Sequence, residues 1–76
     1  MSEPVPAVRS KPGEYFVAAE RVEVDLQFWY GDAVYEVISV PRRWGAAWMA
    51  TVRQIEGLRP GIEFRAMLHV GRKVDG

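Results

Sequence analysis

Cysteine is absent from the 76 residues, so no disulfide braces the fold and no thiolate can hold a metal. That absence fits a reducing compartment. One histidine, His69, is present. A metal site needs three or four ligands held together, so none is expected. No apolar run approaches the roughly 20 residues of a membrane-spanning helix, and no membrane contact is expected. The first residues carry Glu3, Pro4 and Pro6 where a secretory signal would have an apolar core. Gly45, Gly57 and Gly61 stand singly, so there is no phosphate-cradling glycine loop. Nothing marks a strained nucleophile turn. The chain is therefore expected not to be an enzyme, with no cofactor and no small-molecule substrate. The expected location is the cytoplasm, or a virion for a phage-derived chain.

Net charge is also missing, but only in the sum. Residues 1–40 carry three basic and seven acidic side chains, and residues 41–76 carry seven and three. Such asymmetry suits a basic half facing nucleic acid, or one copy's basic surface meeting another's acidic surface. It also suits mutual neutralisation within one domain.

Two stretches alternate with a period of two, the pattern of a strand with one buried face. In the first, Val22, Val24, Leu26, Phe28 and Tyr30 alternate with Glu23, Asp25, Gln27 and Trp29. In the second, Ile62, Phe64, Ala66, Leu68 and Val70 alternate with Glu63, Arg65, Met67 and His69. Gly31-Asp32-Ala33 separates the first ribbon from the β-rich run 34–40, which reads as a hairpin. Residues 14–19 form a short strand expected to pair with that hairpin's edge. Residues 46–55 form another, with Trp48, Ala50 and Val52 on one face. Pro41-Arg42-Arg43-Trp44-Gly45 reads as a loop, because proline stops a ladder and glycine permits positive φ. In Leu58-Arg59-Pro60-Gly61 the proline and glycine stand at the central positions of a type II turn. Lys11-Pro12-Gly13, with Phe16 and Ala18, echoes Arg59-Pro60-Gly61 with Phe64 and Ala66, and shared turn chemistry accounts for both.

Residues 1–13 hold three prolines and read as an extended arm, not a central strand. Residues 71–76 read as a polar tail or short turn. The fold class expected is all-β: a five-stranded SH3-like or OB-like small barrel over 14–76, closed because closure removes exposed edges.

From Val34 onward the chain resembles the N-terminal domain of elongation factor P. The matching parts are Val34-Tyr35-Glu36-Val37, Gly45-Ala46-Ala47-Trp48, and Leu58-Arg59-Pro60-Gly61 leading to Gly71-Arg72-Lys73-Val74. The resemblance implies a KOW-like barrel with an RNA-facing loop. That family's loop carries a modified lysine; here the loop is Pro41-Arg42-Arg43-Trp44, so its activity is not implied. The hairpin from Phe28 to Val40 also resembles phage head-closure and head–tail connector proteins, which implies an assembly role.

Six residues fall where burial does not demand them: Trp29, Arg42, Arg43, Trp44, Arg53 and Arg65. A tryptophan among arginines can anchor a protein partner or stack on a base while the cations meet phosphate. The first expectation is a non-enzymatic assembly or adaptor protein, joined to copies or another protein by its arm and charged faces. The second is an RNA- or ribosome-binding barrel. His69, with Glu63 and Arg65 on its face, is expected to be solvated.

Overall fold

The second alternating ribbon forms the backbone of the fold. In the computed structural model, which describes residues 3–71, it is the last strand, β7 (Glu63–Val70), paired antiparallel with β6 (Ala47–Glu56). Ala66 and Leu68 on its inner face are buried and Phe64 packs against the core. β6 turns Trp48, Ala50, Val52 and Gln54 to the same interior. The type II turn between them is present: Ile62 N donates to Arg59 O at 3.2 Å, and Gly61 has φ +93°. Before that turn β6 gains an extra residue, Ile55, so that Glu56 still pairs with Val34.

The first ribbon is shorter than its alternation suggests. Only β3 (Gln27–Tyr30) is strand. Upstream, Leu26 N donates to Glu23 O at 3.1 Å across a turn with Asp25 at φ +79°. Aspartate tolerates that left-handed geometry better than most residues, so a local turn overrides the period. Val22 and Phe28 are nonetheless buried, while Val24 and Tyr30 are exposed. The hairpin stands: β3 pairs antiparallel with β4 (Ala33–Val37), with Tyr30 opposite Ala33. Its two-residue loop has Gly31 at φ +61°, and Asp32 is not among the positive-φ residues, as a type II′ turn requires.

Residues 5–11 are not an arm. They form β1 (Val5–Lys11), which lies in the sheet between β3 and β2 (Glu14–Val17). Proline is tolerated because Pro6 sits where the β1–β2 ladder ends. Its carbonyl accepts from Ala18 N at 3.0 Å, and the donor it lacks falls at that end. Nor does β2 pair with the β3–β4 hairpin; it pairs with β1 and, in parallel, with β7. The expected loop at 41–45 contains β5 (Arg42–Trp44), paired with β6. The expected tail continues past Gly71 into residues 72–76, which lie outside the described residues.

Seven strands result, against five expected, and no helix occurs among the described residues. The order β4-β3-β1-β2-β7-β6 closes by a β4–β6 pairing into a six-stranded barrel, and β5 is the additional strand. Phe28, Leu68, Val17, Val37 and Val52 fill the interior with almost no exposure. Burying each stabilises the fold by about 1.5–3 kcal/mol. The two proline–glycine turns are alike, with Gly13 at φ +79°, but their strands are not repeats. Phe16 lies opposite His69 on the outer face, whereas Phe64 packs inward.

Candidate functional site

The sheet order keeps the two halves of the chain apart, although the acidic excess of the first half lies in its connections, since its strands carry Arg9, Lys11, Glu14 and Glu36. β4, β3, β1 and β2 are contiguous and come from the acidic part of the chain; β7, β6 and β5 are contiguous and come from the basic part. Among the described residues after Val40 there are five arginines and two glutamates. Each side exposes one tryptophan. Trp29 on β3 is 44% exposed and Trp44 on β5 is 63% exposed.

The six expected site residues do not converge. Arg42, Trp44 and Arg65 line one groove of about 410 Å³, floored by Met49, Ala50 and Thr51. Pairing of Arg42 with Met49 and of Arg65 with Thr51 brings them there. Arg43 alternates to the other face of β5, where its guanidinium lies 5.2 Å from the Trp48 ring centroid and its Nε donates to Gly45 O. Arg53 pairs in register with Glu63 on one side and Glu36 on the other. That row continues to Gln27, whose Nε2 donates to Glu36 Oε2 at 3.4 Å. Trp29 stands on a different wall, in register with Pro6 and Val34.

His69 is not simply solvated. Its Nε2 lies 3.0 Å from Glu14 Oε2, and its ring stacks on Phe16 with centroids 4.3 Å apart. Ser10 Oγ donates to the other carboxylate oxygen at 2.8 Å. Ser10 is the bulged residue of β1, which turns its hydroxyl toward Glu14. The hydrogen bond from His69, then that from Ser10, hold the Glu14 carboxyl below its ordinary value. The sequence hides this cluster because its members come from three strands. Among the described residues no group of three metal-ligating side chains is assembled.

A second feature is at one barrel mouth, where Tyr15, Tyr30 and Tyr35 gather beside Arg9. Burial, above all, raises the Tyr15 phenol from its ordinary value, and the neighbouring Tyr35 phenol adds to it. The signal for this mouth is legible in retrospect: Gln54 extends the inward register of Trp48, Ala50 and Val52 with a polar side chain.

No protein-family model matches the chain, and neither a curated protein nor a solved structure does.

Proposed function

We propose that this chain is a non-enzymatic assembly or adaptor protein whose partner is another copy of itself. In this reading it is a structural component of a phage or mobile element, as the connector resemblance implies. The observation that supports it is that the acidic and basic halves of the chain build separate stretches of the wall, each with an exposed tryptophan, the acidic excess lying in the connections of the first half. Opposite potentials steer association and fix register, while exposed aromatics supply the anchors. Two different surfaces meeting head to tail generate rings or filaments. The link no longer involves residues 5–11 as an arm, because they build the wall. Kinship with SH3-like or OB-like small barrels belongs to the same proposal; short strands closed tightly on themselves support it, with β1 as a sixth wall strand. Light scattering over a range of concentration and salt tests the assembly. The expected result is a mass above the monomer that falls as salt screens the charges. A monomer at every concentration and salt sinks it.

The groove shared by Arg42, Trp44 and Arg65 favours a second reading, an RNA-binding face. Binding of labelled single-stranded RNA then weakens steeply with salt, through counterion release. Absence of binding at low salt removes this reading. Arg43 and Arg53 contribute less to it than their sequence positions suggest, since one is engaged with Trp48 and the other lies between glutamates.

A further inference from the structure

The mouth of the barrel beside the Gly31–Asp32 turn is a pocket of about 420 Å³, within the size range of small-molecule sites. Arg9, Tyr30, Tyr35, Gln54, Gly57 and Leu58 line it. Three observations give it a chemistry. Arg9 is placed over a ring: its guanidinium carbon lies 5.6 Å from the Tyr30 ring centroid, and Arg9 stands opposite Tyr15 in the β1–β2 register. A guanidinium stacked on a ring keeps donors in its own plane, the fork that matches a carboxylate.

Gln54 is the second observation. It is 8% exposed, and its side-chain amide has no hydrogen-bond partner among the described residues. Gln54 lines the same pocket as Arg9, and its amide can offer donors there. Gly57 keeps that amide in place: its φ is +132°, and a Cβ there would collide with Gln54 Nε2. The third observation is the apolar lining, with the Tyr30 and Tyr35 rings at the wall and Leu58 fully exposed at the lip. Asp32 lies at the rim but makes no ion pair with Arg9.

We propose that this mouth binds a carboxylate carried on a flat apolar body, an aryl or short acyl carboxylic acid, free or as the C-terminal residue of another chain. The carboxylate meets the Arg9 guanidinium and the Gln54 amide; the apolar body lies against Tyr30 and Tyr35. Binding here is independent of the assembly reading, which the light scattering of the untreated protein decides.

The test is an NMR titration of the nitrogen-labelled protein. The probes are phenylacetate, phenylacetamide, and the peptide Gly-Gly-Phe with a free or an amidated C-terminus. Phenylacetate or the free-acid peptide shifts the Gln54 side-chain amide signals to saturation, and the matching amide binds at least about tenfold more weakly. Binding by both acids points to a free small acid; binding by the peptide alone points to a chain terminus. Arg9→Gln, at an exposed position, weakens the acid about tenfold, and Arg9→Lys recovers part of it because charge returns without the fork. Equal binding of acid and amide overturns the proposal. So does the absence of any saturable Gln54 shift with either acid at about 20 mM, far above a useful dissociation constant.

Discussion

Trp29 and Trp44 are both exposed, yet they stand on different kinds of ground. Trp29 belongs to a wall strand paired on both sides, with Phe28 fully buried beside it. Its register neighbours are Pro6 and Val34. Trp44 belongs to a three-residue strand, exposed throughout, that pairs with β6 alone. Its surroundings are Arg42, Arg65 and the groove between them. One tryptophan is a fixed feature of the wall built from the first half of the chain, the other a fixture on the rim of the basic second half. Exposure in both therefore does not mean equal support, and a contact between the two sides would join a rigid surface to an adaptable one.

The largest effect should come from removing what backs the rigid side. Phe28→Ala should cost about 3–5 kcal/mol in a denaturation experiment, because a cavity opens in a small core. A loss under about 1 kcal/mol would show that the wall behind Trp29 is not the support it looks. Next comes association itself. Trp29→Ala and Trp44→Ala should each reduce the oligomer mass, each removing a different half of one contact. Mixing the two variants should restore a dimer and nothing larger, since each still offers one intact surface. If a single variant assembles as the natural chain does, the two tryptophans do not meet.

A smaller difference separates their contributions to stability. Trp29→Ala should cost about 1–2 kcal/mol, and Trp44→Ala less than about 0.5 kcal/mol. Hydrogen exchange should agree, with amides at 42–44 exchanging faster than those at 27–30. Equal protection would erase the distinction.

The smallest effect lies on the side that holds Trp29 alone, at Glu14. Glu14 has its pKa lowered in the folded protein. Its contribution to stability is therefore present above the unfolded carboxylate value and lost as pH falls through the folded one. The difference in Tm between the natural chain and Glu14→Gln should shrink as pH is lowered from about 6 toward 3. A difference that grows on acidification contradicts the assignment.

How far these features could be read from the residues depends on where their information lies. The ribbon from Ile62 to Val70 was legible because both its turn and its alternation are local; the structure keeps the turn and the alternation from Phe64 to Leu68, while Ile62 and Val70 are exposed. The ribbon from Val22 to Tyr30 carries the same period, but a tight turn at Glu23–Leu26, with Asp25 left-handed, breaks it. Proline misled at the other end: Pro6 is harmless where a ladder stops, and no local rule says where a ladder stops. β5 is three residues between a proline and a glycine, too short to carry a period. Of the expected site residues, Arg42, Trp44 and Arg65 meet because β5, β6 and β7 are adjacent in register. The Glu14–His69 contact needed the parallel β2–β7 seam, a pairing of strands far apart in the chain, and the Ser10–Glu14 contact needed a bulge in the β1–β2 hairpin that no alternation announces.

The strand made last, β7, joins both β6 and β2. During synthesis every earlier strand can emerge while the ring stays open, with the flanks of β2 and β6 lacking their mate. A chain that stalls before residue 63 is thus a curled sheet with two bare borders, the kind that recruits stray strands. The eight residues of β7 act as the clasp, because only their pairing with both neighbours closes the ring.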